Sequence, residues 1–367
     1  MRTLSTALTL VLLLGLTVPA SAIAATPGAP APTSPPAGKP ASASATAIGV
    51  SPGEPADNQA SAITDVDVVL VSGQYSGPGL WKVSKDEHAL WILGTVSPVP
   101  RKMDWYSPQA EEALARTQEI VGPPGMGVTV GFGSAFKIAF AVPTILRARR
   151  NPDGKSLQDV LPQELYARWQ VLKPLYLGDD NSVEQWRPFL AADTLHQGAL
   201  KRSGLAAGTG VDNRISELAK KHKIKWTSTT IVSAIKDPKK LAKSLAREDI
   251  DDVQCFRSVL DRLELDVANA AERANAWATG DIAALTRLSD RGNVLPCYEA
   301  LANTGAARSV GMDDAMERSE ALWLKSAEAA LTANHTSFAM LPVAQLLRPD
   351  GLLARLQARG YDVVGPE

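Results

Sequence analysis

The chain has 367 residues, and its 38 Lys and Arg against 39 Asp and Glu leave a formal net charge of −1. That balance lacks the basic excess by which proteins hold nucleic acid or an anionic membrane surface, so neither is expected as a partner. Length alone suggests two or three domains, but much of the N-terminus is not foldable sequence.

Arg2, an apolar run over 8–18 and the small residues Ala20-Ser21-Ala22 read as a secretory signal peptide over residues 1–25, cleaved near Ala22 or slightly later. The run is short for a bilayer span, and no cysteine follows the cleavage region to carry a lipoprotein anchor. The mature protein is therefore expected to be soluble, periplasmic or secreted from a bacterium, with no transmembrane segment. Residues 26–62 are dominated by Ala, Pro, Ser, Gly and Thr, too poor in apolar surface to offset the entropy of ordering, and read as a disordered linker. Beyond them helical and strand signals alternate to the end. One α/β domain over 63–367 is expected, a central mixed sheet flanked by many helices, with a helix-rich middle and C-terminal half.

Within that domain, 80–83 and 89–93 predict a hairpin around Asp86-Glu87-His88. Ser107 as N-cap and Pro108 at the first helical position open a helix to about 117. Ile120-Val121 predicts a short strand stopped by Gly122-Pro123-Pro124. The run 128–146 is strongly apolar but broken by glycines, Lys137 and Pro143, and Arg147, Arg149 and Arg150 follow it. It predicts a buried helix or hairpin, with a weak peripheral membrane or partner contact as the minor alternative. Helices are predicted over 162–177, 183–201, 211–222 and 238–247. The longest covers 253–278, where Phe256, Leu260, Leu263, Val267, Ala271, Ala274 and Ala278 recur every three or four residues as one core-facing stripe. Gly280 ends it, and a further helix over 313–332 precedes an apolar strand at 337–341.

The sequence has no Walker loop, Rossmann glycine fingerprint, HExxH, CxxC or Gly-x-Ser-x-Gly. Its histidines, His88, His196, His222 and His335, are never spaced i, i+4, and each reads as an ordinary surface or packed histidine. The two cysteines, Cys255 and Cys297, lack zinc-site spacing; in an exported chain they predict a disulfide joining the long helix to an irregular segment. On the chain-entropy argument it stabilises by roughly 4 kcal/mol. The eight tryptophans lie on strands and striped helices, so they read as core, with a sugar-stacking groove as the alternative.

Two strands end in comparable turns: Ala89-Leu90-Trp91-Ile92-Leu93-Gly94-Thr95-Val96-Ser97-Pro98 and Ser337-Phe338-Ala339-Met340-Leu341-Pro342-Val343-Ala344-Gln345. In order and framing they resemble the paired strand-then-Gly-x-x-His signatures of the TraB/GumN family, which includes the Tiki-type metalloproteases. Further resemblance lies in Pro78-Gly79-Leu80-Trp81-Lys82-Val83, Gly210-Val211-Asp212-Asn213, Arg318 on its helix, Arg348-Pro349-Asp350-Gly351-Leu352-Leu353 and Arg359-Gly360-Tyr361-Asp362-Val363-Val364, so the likeness spans about 78–364. It implies an α/β fold and a metal-dependent peptidase ancestry. This chain departs from the pattern where that chemistry resides. Ser97 and Gln345 stand where the histidines are expected, Gly122-Pro123-Pro124 and Lys225-Trp226-Thr227-Ser228-Thr229 lack the expected acids, and the usual Arg-Asn pair reads Arg318-Ser319.

A hydrolytic metal needs about three protein ligands and an open position for water. A serine hydroxyl is a poor neutral ligand and an amide oxygen suits hard cations only weakly; the nearest acids are Asp104 and Asp350. Ser97 as a nucleophile would need a base, and no spacing places Lys102 or His88 to serve. Arg318 suits bidentate capture of a carboxylate, phosphate or sugar acid, or a structural pair with Glu317, Glu320 or a helix end. The expectation is a degenerate cleft of Gly94, Ser97, Arg318 and Gln345, with Ser97 and Gln345 facing each other at the ends of neighbouring strands. No metal or cofactor is expected. The implied protein is a catalytically inactive homologue that binds a peptide, glycan or partner protein; the alternative is a peptidase-like metal-dependent hydrolase with a rearranged site.

Overall fold

The computed structural model describes residues 78–366 apart from 102, 104–106, 131–134, 207–208, 249, 251 and 290–294. The expected signal peptide (1–25) and linker (26–62) lie outside the described residues. Leu80–Lys85 (β1) and His88–Thr95 (β2) form the expected antiparallel hairpin. Asp86 takes the left-handed turn position at φ 54°, one that Asp tolerates better than most residues. Val99–Pro100 forms β3, Glu119–Val121 β4, Gly125–Val130 β5, Leu205–Ala206 β6, Lys225–Thr227 β7, Thr230–Ile235 β8, Thr336–Pro342 β9 and Asp362–Val364 β10. The main sheet is mixed, with strand order β10-β1-β2-β9-β4-β7; β2, β9, β4 and β7 are mutually parallel, and β1 is antiparallel to both its neighbours, β2 and β10.

Helices follow in chain order as α1 (Pro108–Arg116), α2 (Ala135–Ala148), α3 (Leu157–Val160), α4 (Gln163–Tyr176), α5 (Pro188–Arg202), α6 (Thr209–His222), α7 (Pro238–Arg247), α8 (Val253–Thr279), α9 (Ile282–Ser289), α10 (Leu295–Ala302), α11 (Gly305–Ser309), α12 (Ala315–Ala333), α13 (Val343–Leu346) and α14 (Leu352–Gln357). The α/β reading holds. Residues 337–341 of β9 are all buried, as are Leu90, Ile92, Leu93 and Gly94 of β2, because parallel strands covered on both faces are apolar on both faces. α12 lies on β2, β4 and β9 and buries Trp323, Leu324, Ala327 and Leu331 in the core they share. α1 begins as its sequence predicts, the Ser107 hydroxyl accepting from the Ala110 amide at 3.2 Å.

A second core forms where α3, α4 and α5 meet the first half of α8, around Trp169 and Phe256, whose ring centroids lie 5.9 Å apart. Cys255 of α8 is bonded to Cys297, with Cα atoms 4.4 Å apart. Cys297 sits in helix α10 rather than in an irregular segment. α8 leaves its second core and joins the first through Ala276 and Trp277, so its buried stripe drifts around the helix. Val267, Ala271 and Ala278 of the predicted stripe are only half-buried, and Asp266 and Arg273 take buried positions instead. Gly280 caps the helix in the left-handed region at φ 73°, as expected of a C-terminal glycine.

The apolar run 128–146 is neither one helix nor a hairpin. Its start belongs to β5, and α2 follows from residue 135. β5 pairs in parallel with β8, and the pair continues β4 and β7 beyond the Pro-rich break. Neither strand was predicted: Gly125-Met126-Gly127 lacks strand propensity and Thr230-Ile231-Val232 follows a polar turn. α2 buries Ile138, Ala141 and Ile145 against α7 and leaves Phe140 and Leu146 exposed. The predicted helix 183–201 splits into a turn of 3-10 helix at Ser182–Gln185 and α5, because Pro188 starts a helix but cannot continue one. Trp81, Trp169, Trp277 and Trp323 are buried, and Trp91, Trp186 and Trp226 half-buried; Trp105 lies outside the described residues. Among the described residues no helix is long and apolar enough to cross a membrane.

Candidate functional site

Four parallel strands end together, and in open α/β sheets ligands favour the crevice outside such carboxyl ends. The register Gly94↔Leu341 and Thr95↔Pro342 brings the two signature turns out of the sheet side by side, despite their separation in sequence. Ser97 is exposed in the first turn, and Gln345 lies half-buried on α13 in the second.

Gly94 is the packing point between them. A Cβ there would sit 2.6 Å from Trp81 Cζ3 and 2.8 Å from Val343 Cγ2, and its carbonyl accepts from the Trp277 indole at 2.6 Å. Two side chains close on a position with no room for a methyl group. Gly94→Ala is expected to cost about 1–3 kcal/mol of stability through overpacking, read as a lower urea midpoint at unchanged slope. An unchanged midpoint would show that the glycine is not sterically required.

Gln345 Nε2 donates to Glu320 Oε1 at 3.2 Å, and Glu320 Oε2 accepts from Arg355 Nη1 at 3.2 Å. Glu320 thus locks the side chain that stands where the second histidine is expected. Arg318, two residues earlier on α12, pairs with neither Glu317 nor Glu320. Its Nε donates to Asp314 at 2.8 Å and its Nη2 to the Gly311 carbonyl, so it binds its own helix start. Its neighbour Ser319 is fully buried, donates to the Thr229 carbonyl at 2.8 Å and accepts from the Gly125 amide at 2.6 Å. Thr229 donates in turn to the Gly122 carbonyl at 2.9 Å. These bonds satisfy backbone groups where β4 and β7 break, so Ser319 has a structural task of its own.

The first turn is held from the helical layer. Arg273 Nη2 donates to the Pro98 carbonyl at 3.2 Å, and its Nη1 lies 3.3 Å from Asp266 Oδ1. Asp266 Oδ2 also meets His196 Nε2 and Arg262 Nε, each at 3.2 Å. Burial lowers the Arg273 pKa, with the charge of Asp266 opposing that loss. One turn of α5 before His196, burial raises the Asp193 carboxyl from 3.8 to about 6, with His196 and a hydrogen bond to Gln197 pulling the other way. Between those values the folded chain keeps a proton that the unfolded chain has released. Stability is therefore expected to fall as pH rises through about 4 to 6. Asp193→Asn removes that slope, and is expected to gain about 1–3 kcal/mol at pH 8 and nothing at pH 4. Parallel stability curves for variant and wild type would refute this.

His88 does not serve Ser97. It begins β2, roughly 20 Å of strand from the turn at the opposite end. Its ring stacks on His335 with centroids 5.3 Å apart, and its Nδ1 donates to the Asn334 carbonyl at 2.7 Å. At that same end Glu119 is buried. Burial alone would raise its pKa, but bonds from Thr227, Lys225 and Asn334 outweigh this and hold it below the ordinary carboxylate value. Asp350 pairs with Arg348 at 3.0 Å. Asp104 and Lys102 lie outside the described residues.

A TraB/PrgY/gumN family model matches residues 79–364, from the opening hairpin to β10. This chain belongs to the TraB/PrgY/gumN family. No curated protein and no solved structure matches it. The metal that the sequence resemblance implied does not fit the residues at the two signature turns: Ser97 offers an exposed hydroxyl, and the Gln345 amide is engaged by Glu320, itself held by Arg355. Among the described residues, no three His, Cys, Asp or Glu side chains gather where an ion would be held. The bonds of Glu320 to Gln345 and Arg355 and the Arg273–Asp266 link to Pro98 are what the sequence reading missed, since both depend on contacts between separate elements of the fold.

Proposed function

We propose that this is an exported, non-hydrolytic member of the TraB/PrgY/gumN family. In this reading residues 63–367 act as one domain and bind a peptide, glycan or partner protein at the carboxyl edge of β2, β9, β4 and β7. The observation that carries the reading is the Gln345–Glu320–Arg355 chain, which turns a position expected to bind metal into a closed hydrogen-bond network. Each Glu320 oxygen already accepts a hydrogen bond, which leaves this carboxylate poorly placed to activate water. The Cys255–Cys297 bond is compatible with an oxidising, extracytoplasmic compartment.

The mature chain is to be screened on peptide and glycan arrays, with Ser97→Trp as a variant that crowds the edge. Saturable binding lost in the variant, with the peptides recovered intact by mass spectrometry, supports the reading. The competing reading is a metal-dependent peptidase with a rearranged ligand set. Cleavage of array peptides that stops on chelation would establish it instead.

A further inference from the structure

Outside the carboxyl edge, the β5–β8 pair and helices α2, α7, α10 and α11 line a partly open cavity of about 140 Å³. Its wall is apolar, with Met126, Val128, Ile145, Leu241, Leu301 and Met312 among the side chains that face it. Protein interiors contain few voids larger than a water molecule, and a dry apolar cavity of about 150 Å³ takes up benzene. This space is therefore large enough for a ring or a short alkyl chain, and too apolar to hold ordered water well.

Two arginines interrupt the wall. Arg187 is buried and spans the Leu245 and Glu248 carbonyls at 3.2 and 2.9 Å, holding α7 to the start of α5. Arg149 is half-buried, its guanidinium 3.6 Å from the centroid of the Trp186 ring, and no carboxylate pairs with it among the described residues. Burial lowers its pKa, a cost that an incoming anion would offset. We propose that the cavity is a binding site for a small apolar carboxylate, its ring or alkyl tail inside and its carboxylate paired with Arg149. The guanidinium is already oriented by Trp186, so a bidentate pair forms with little further ordering.

The test uses the mature chain and calorimetric titration with hexanoate and benzoate, set against hexanol and benzyl alcohol for the tail alone and acetate for the charge alone. Both acids are expected to saturate one site, with each matching alcohol weaker by at least about tenfold and acetate weaker still. Arg149→Met, which keeps the stem over Trp186, is expected to bring acid and alcohol to equal affinity. Ala307→Leu, which extends a wall residue into the space, should abolish binding of both. With ¹³C-methyl methionine, hexanoate should shift Met126 and Met312 in the wild-type chain and leave Met340 of β9 in place, a readout that needs no variant to fold. Equal affinity of acid and alcohol for wild type, an Arg149→Met variant that still prefers the acid, shifts confined to other methionines, or no saturation at all would each overturn the proposal. Ser97→Trp should leave hexanoate binding unchanged, so this site and the carboxyl-edge site stand or fall separately.

Discussion

Replacing both Cys255 and Cys297 with alanine is expected to destabilise the protein by about 4 kcal/mol, because the bond closes a loop with a sequence separation of 42. For a chain of this size that corresponds to roughly 10 °C in the thermal midpoint. The loss has a structural address. Cys255 lies in the core of Trp169 and Phe256, while Cys297 anchors α10, whose Leu301 and Ala302 form part of the cavity wall. Without the bond α10 is held mainly by side-chain packing, so hexanoate affinity should drop alongside the midpoint. Reducing agent on the wild type should reproduce both effects. A double variant that melts with the wild type would show that packing of α8 on α10 suffices without the covalent tie.

Of the six strands of the main sheet, β1, β2, β4 and β9 were legible in the sequence and the short β7 and β10 were not. Ala89-Leu90-Trp91-Ile92-Leu93 and Phe338-Ala339-Met340-Leu341 are continuous apolar runs, the pattern demanded of parallel strands covered on both faces. The β5–β8 pair was not legible, since glycines and a Ser-Thr turn mask its strand character and its partner lies about a hundred residues away. Pairing at that separation is decided by tertiary contacts, here the buried hydroxyls of Ser319 and Thr229 at the break. Local pattern found the two signature turns. It failed on their supports: Asp266 and Arg273 sit at spacings that belong to an apolar stripe, and only the geometry of α8 against α5 shows them buried and joined to Pro98. Arg318 takes the helix-end pairing that the sequence left open beside ligand capture, a conspicuous charge that closes on its own helix start.

The purified protein is expected to contain no stoichiometric zinc, manganese or cobalt by elemental analysis, and to cleave no peptide library above background. The reason is chemical: a stable hydrolytic site needs about three strong ligands, and the two signature turns supply one hydroxyl and one engaged amide. Restoring Ser97→His and Gln345→His together is expected to raise zinc affinity by at least about a hundredfold over wild type, while each single change should give far less, since affinity climbs steeply once ligands act together. The register of β2 on β9 makes the pair the informative variant, because it places both turns at one edge of the sheet. Pro342→Gly is a further step toward a Gly-x-x-His pattern in the second turn, and Glu320, without the Gln345 amide and still bonded to Arg355, is expected to act as a third ligand beside the new histidine. Glu320→Gln in the double-histidine background should therefore cancel most of the gain. A tightly held ion in the wild-type protein would overturn the non-hydrolytic reading. If the double variant binds zinc no better than either single variant, the two turns do not face a common space, and the carboxyl edge has to be regarded as two separate surfaces.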